Sequence, residues 1–234
     1  MKAILTTLLL AISACCPTAW AQTIKDPAHV DIKVTPFYDS VGPKIEVGAF
    51  SPGLASKDEK EFDATIQKMK QSWNKLGFPE MYVAAIRLYD LGYRKESVYW
   101  FYSAQYRGRL YGTLLDQAKM GSIGNAGFEL LQAQNAFFQL TGPYINGYAF
   151  GDLDQLTGIV QRVQKEGRTL PDLKAAYPGV KFKNESGWKT ENGQLNDGMT
   201  EMLKSLKDER TSIKKQRAEQ GLDAKFSKLT SKEL

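Results

Sequence analysis

LYDLGYRKESVYWFYSAQYRGRLYG, residues Leu88 to Gly112, carries eight aromatic side chains: Tyr89, Tyr93, Tyr99, Trp100, Phe101, Tyr102, Tyr106 and Tyr111. Such a density suits either an exposed binding platform or the centre of a core. Helical periodicity separates the two. Tyr99, Tyr102 and Tyr106 fall on one stripe, Val98 and Phe101 on a second, Trp100 and Ala104 on a third. A platform needs one aromatic face and a charged back. This segment is apolar on nearly every side as far as Gln105, the pattern of a central helix covered by several neighbours. Tyrosine fits there when its hydroxyl reaches a partner at the core margin.

The flanking segments supply such neighbours. Phe62, Ile66, Met69, Trp73 and Leu76 recur at steps of four and three, an amphipathic helix with a capping-box start at Ser56 and Glu59 and a stop at Gly77. Pro79 opens the next helix, which Gly92 ends. The spacing then gives a helix from about Arg94 to Tyr111, a glycine-rich connection after Met120, and a helix from Phe128 to Leu140 closed by Gly142-Pro143. Tyr144 to Gly151 reads as an aromatic loop, and Asp152 caps a helix through Val163. Residues 167–194 read as irregular, with one helical turn near Asp172. A terminal amphipathic helix lies within 195–234, from about Asn196 to Gln220, its stripe set by Leu195, Met199, Met202, Leu206 and Ile213; beyond Gly221 the tail is expected to fray. Before the helices, Val30 to Phe50 alternates with period two, predicting a short β-hairpin around Ser40 to Pro43 within a 22–55 segment. The fold class is therefore mainly α: an antiparallel helical bundle with its core over 56–166.

Ala85 to Gly92, A-x-x-L-Y-D-L-G, followed by a short turn and Ser97 to Ala104, resembles one helical hairpin of the tetratricopeptide or Sel1-like kind. The likeness covers one repeat, with no second copy at a period of about 34 residues. It implies antiparallel helices and transfers no functional residue.

Residues 1–21 have the features of a secretory leader: Lys2, an apolar stretch from Ala3 to Ile12, then small residues. Cleavage after Ala19-Trp20-Ala21 would leave Gln22 first. Ile12-Ser13-Ala14-Cys15 instead fits a lipobox, with Cys15 lipidated. Both cysteines lie in this leader, so cleavage after Ala21 leaves a core-stabilised protein without thiols, as in the bacterial periplasm. No later segment approaches the roughly 18 apolar residues of a membrane span. The formal charge of +5 falls to +4 without Lys2, and the basic residues are interspersed with acids, which argues against nucleic acid as a partner.

For chemistry the sequence offers little. His29 is the sole histidine, which leaves H-E-x-x-H, a zinc cluster and a histidine triad without material; no cofactor or metal is implied. The candidate carboxylates are Asp152 and Asp154, which a glycan-cleaving enzyme of the envelope could use as a pair, with Glu129 a third; as helix-start residues they also suit capping. Tyr144, Tyr148, Phe150 and Trp188 are candidate partner-binding aromatics. The expectation is an exported, non-enzymatic binding protein of the envelope. Its single-domain helical build is similar to the exported immunity proteins of type VI secretion loci, which implies a protein partner such as a secreted toxin. The alternatives are the glycan enzyme and a helical scaffold.

Overall fold

The computed structural model describes residues 24–31 and 47–234. The leader with Cys15, and most of the expected hairpin, lie outside those residues. The hairpin's described flanks are not strands: Val30 and Val47 are irregular, and Gly48–Phe50 is a single 3-10 turn. Among the described residues the only β contact is an isolated antiparallel bridge between Leu115 and Phe182.

The architecture is helical. After a short α1 (Ser51–Ala55), α2 spans Glu59–Gln71, α3 Phe78–Asp90 and α4 Arg94–Leu114. Then come α5 (Ala126–Ala149), α6 (Leu153–Gly167), a one-turn α7 (Leu173–Ala176) and α8 (Trp188–Asp208). The chain closes with α9 (Arg210–Glu219) and α10 (Leu222–Phe226). Helix α4 touches α3, α5, α6 and α8, so it is covered on all sides. All eight aromatic residues of the quoted stretch are buried, with Tyr89, Trp100, Phe101 and Tyr111 fully so. The stretch is core.

The turn between α3 and α4 shows how local sequence sets this geometry. Gly92 adopts φ +92°, a left-handed conformation that strains other residues. The Tyr93 N–H donates to the Leu88 carbonyl (2.8 Å) and the Gly92 N–H to the Tyr89 carbonyl (3.0 Å). This pair of bonds is a Schellman stop, which reverses the chain. Both ends of the described chain return to this turn. The Val30 N–H donates to the Asp90 carboxylate (2.9 Å) and the Tyr89 hydroxyl to the Pro27 carbonyl (2.8 Å). At the other end, the Lys232 N–H donates to the Gly92 carbonyl, and Lys232 Nζ pairs with Glu59 at 2.6 Å.

Several boundaries differ from the sequence reading. The cap of α2 is Asp58, whose carboxylate accepts from the Lys60 and Glu61 N–H groups; Ser56 instead donates to Glu61. Helix α2 ends at Gln71, and Gly77 is the N-cap of α3. Residues Tyr144 to Ala149 are not a loop, because α5 continues through Pro143. The proline removes the hydrogen bond to the Gln139 carbonyl, but Gln139 lies on the exposed side, where water can replace it. Continuing the helix buries Ile145 and Ala149, which outweighs the break. The irregular stretch is shorter than expected, since α8 begins at Trp188, and the terminal helix is interrupted at Glu209 and again at Gln220 and Gly221. The tail does not fray: Phe226 is buried against Gly147, and the residues after it dock on the α3–α4 turn. Met199, Met202, Leu206 and Ile213 join the same core as α3 and α4, so these helices belong to the body.

A Cβ at Gly147 would lie 2.3 Å from the Phe226 ring. Gly147→Ala should therefore displace α10 and lower stability by about 1–3 kcal/mol in urea unfolding. An unchanged midpoint would show that the ring yields at no cost. Asp90 has its pKa raised to about 6, chiefly by burial. A carboxyl raised in the folded state stabilises below its unfolded pKa of about 4, and that contribution fades as pH rises through about 6. Asp90→Asn should therefore flatten the melting temperature between pH 4 and 6 and raise it at pH 7 by about 2–4 °C. A lower value at pH 7 would mean that the ionised carboxylate is needed.

Candidate binding cleft

Helix α4 is apolar around its first half and polar in its second, and that second half must place Ser103, Gln105, Arg107 and Arg109 on a covered helix. A buried guanidinium is costly unless its donors find acceptors. Three buried arginines meet most of this demand in the same way, with Arg217 Nη2 alone among their buried donors left unpaired. Arg87 donates through Nε to the Leu54 carbonyl (2.8 Å), near the end of α1. Arg107 donates to the carbonyls of Leu76 (2.6 Å) and Trp73, on the α2–α3 connection. Arg217 reaches the Gly147 carbonyl (2.9 Å) near the end of α5, and pairs with Asp223 (2.9 Å). Each takes up a carbonyl that a helix or turn end leaves unpaired, namely those of Leu54, Leu76 and Gly147.

Arg109, half-buried, is the exception. Residues two apart on a helix point to nearly opposite sides, so Arg109 cannot share the acceptors of Arg107. It forms no hydrogen bond or ion pair with another described residue, and burial holds its pKa below the usual arginine value. Arg109 lines a cleft between α4, α5 and α8 together with Tyr102, Gln105, Asn146, Met199 and Met202; the open space there, solvent mouth included, is about 450 Å³. Gln105 is only 6% exposed, and its Nε2 has no partner. The Tyr102 hydroxyl donates to Asn146 Oδ1 (3.0 Å). That bond leaves the amide nitrogen of Asn146 as the remaining donor of its side chain.

On the other side of Tyr106 a second cleft opens between α4 and the end of α6, lined by Trp73, Ser103, Arg107 and Glu166. Its charges are already matched. Arg107 is held by carbonyls, and Glu166 accepts from the Tyr99 hydroxyl and from Arg162 at 3.1 Å, while the Arg162 guanidinium lies 3.6 Å over the Tyr99 ring. Of its lining the buried Ser103 Oγ is left unpaired, which one water would satisfy. The Tyr106 hydroxyl between the clefts shares its one proton between the Gly167 carbonyl (3.1 Å) and Asn192 Oδ1 (3.0 Å), tying α6 and α8 to α4.

The residues singled out in the sequence occupy other places. Asp152 caps α6, accepting from the Asp154 and Gln155 N–H groups. Asp154 is exposed and grips Arg210 with both oxygens (2.8 and 2.6 Å), which lowers its pKa. Neither lines a described cleft. Glu129 accepts from the Gly124 N–H (2.9 Å) at the start of α5. Phe150 is buried, and Tyr148 stands edge-on to Tyr89. Trp188 packs edge-on against Phe182, beside Tyr111, and donates to the Lys183 carbonyl. Tyr148 and Trp188 thus lie near opposite ends of α4 and do not form one surface. His29 and Asp26 make an exposed pair at 2.7 Å. Among the described residues no group of three or more histidine, cysteine or acidic side chains is placed to hold a metal ion, and no helix is long and apolar enough to cross a membrane.

No protein-family model matches the chain, and no solved structure matches it. A protein of Haemophilus influenzae described as uncharacterized is 27% identical over 159 residues, covering 66% of this chain and 59% of that protein. The chain therefore spans less than two thirds of that relative's length.

The contrast between Arg107 and Arg109 is testable. Arg107→Met strands the buried Leu76 carbonyl and should cost about 1–3 kcal/mol of unfolding free energy. Arg109→Met removes an uncompensated charge and should leave stability unchanged or raised. Equal losses in the two variants would show that Arg109 also holds the fold.

Proposed function

We propose that the chain is an exported binding protein of the bacterial cell envelope that receives a ligand in the cleft between α4, α5 and α8. One observation carries this reading. Arg109 and the Gln105 amide line an open cleft without protein acceptors, whereas Arg87, Arg107 and Arg217 are held by carbonyls. Uncompensated donors in a concave, partly apolar site favour an incoming acceptor. The leader sequence supports export, either to the soluble periplasm after cleavage at Ala21 or to the membrane surface through a lipid on Cys15.

A second reading, inhibition of a protein partner such as a secreted toxin, draws on the segment before α8. Residues Lys183 to Ser186 are exposed, yet the segment is braced by the Lys174–Glu185 ion pair, the Asn184 cap and the Trp188 hydrogen bond. Bracing of this kind lowers the entropy lost on docking. The aromatic half of α5 gives that reading no loop to insert.

Fractionation of a Gram-negative host expressing the full chain with a C-terminal tag tests export. The expected product is either a shock-released protein beginning at Gln22 or a membrane-associated one beginning at a lipidated Cys15. An intact leader on a protein retained in the cytoplasm would overturn the reading. A stoichiometric protein partner retained on the tag would move the inhibitor reading ahead.

A further inference from the structure

We propose that the cleft between α4, α5 and α8 binds an apolar monocarboxylate, its carboxylate held by Arg109, Gln105 and Asn146 and its hydrocarbon part lying along Met199, Met202 and Leu195. The inference rests on the reading of this cleft as the ligand site. Its polar wall is rich in donors. A guanidinium such as that of Arg109 has several N–H groups and no acceptor. Gln105 is nine-tenths buried with its Nε2 unpaired, and Asn146 has its oxygen occupied by the Tyr102 hydroxyl. Among the described residues no aspartate or glutamate lines the cleft. Such a wall selects an anion.

The number and shape of the donors narrow the choice. One guanidinium balances one negative charge, and its planar fork matches the two oxygens of a carboxylate. A phosphate dianion would bring a second charge into a partly desolvated site whose wall holds no second cation. The opposite wall requires an apolar remainder. Phe138 completes it beside Leu195, Met199 and Met202, and the flexible methionines can shift to admit chains of different length. The open space is about 450 Å³ with its mouth. The enclosed part of that space is only about 20 Å³, so the hydrocarbon part of the ligand enters by displacing the flexible methionine side chains.

Isothermal titration calorimetry of the leader-free protein with sodium octanoate tests the proposal, with octan-1-ol supplying the tail alone and sodium acetate the charge alone. Octanoate should bind at one saturable site, and each control should bind at least about tenfold more weakly, the difference made by one charge-assisted contact or by the buried chain. Arg109→Met should weaken octanoate by a similar factor, and Arg109→Lys, which keeps the charge without the fork, by less. Circular dichroism melts of both variants separate lost binding from lost folding. Met202→Trp, which fills the cleft, should abolish binding. If octanol binds as tightly as octanoate, or if Arg109→Lys and Arg109→Met leave octanoate affinity unchanged, the carboxylate assignment is wrong. Native mass spectrometry of the protein from its host separates that failure from failure of the site itself. A retained non-acidic ligand that Met202→Trp expels would sink the carboxylate and keep the cleft. If the wild-type protein carries no ligand and binds none of the three probes, both fall.

Discussion

A helix buried around its whole circumference has no face to give to water, and α4 imposes that condition on the rest of the chain. Trp100, Phe101, Tyr111 and Leu110 are fully buried, and four other helices supply the cover. Each such aromatic contributes on the order of 2 kcal/mol through burial, before the entropy of ordering the chain is counted. The tyrosines on this helix keep their hydroxyls where acceptors exist: Glu166 for Tyr99, Asn146 for Tyr102, Gly167 for Tyr106 and Gly127 for Tyr111. These bonds fix which helix lies on which side, so the aromatic stripes set helix placement as well as the core.

The polar second half of the same helix carries the functional consequence. Covering α4 forces its arginines toward the interior, where a guanidinium needs acceptors. Arg107 finds them at a turn, as Arg87 and Arg217 do at helix ends, and these side chains tie distant segments together. Arg109 faces a cleft instead. Its charge is matched by nothing in the wall, a condition that a purely structural site tends to lose, because an apolar residue of similar volume would serve stability as well or better. The unpaired Gln105 amide one turn away puts a second donor in the same place. Two uncompensated donors on a rigid central helix, facing flexible methionines, make a site whose chemistry is completed from outside.

Much of the helical order is legible in the sequence because the apolar period and the glycine stops act locally. The three-stripe pattern of Val98 to Tyr106 identifies the central helix, and the stripe from Leu195 to Leu206 does face inward. Failures arise where tertiary burial overrides a local signal. Pro143 reads as a terminus, yet burying Ile145 and Ala149 carries α5 past it. Gly221 reads as the start of a frayed tail, but the missing side chain at Gly147 admits Phe226 and anchors the residues beyond it. The cleft is not legible, since Gln105 and Arg109 lie on α4 and their companions on α5 and α8, far apart in sequence. The available signal is the placement of Arg107 and Arg109 on a helix that the aromatic stripes mark as central. Period alone does not say which of them a carbonyl would hold.

Native-state hydrogen exchange across the chain tests the organising role of α4 most directly. If the covered helix is the constraint that the other elements satisfy, the amides of Val98 to Leu110 should open only with global unfolding and be the slowest to exchange, while α9, α10 and the docked tail open earlier. Exchange of the α4 amides through a smaller opening, with α2 or α6 still protected, would contradict it and place the stabilising centre of the fold elsewhere.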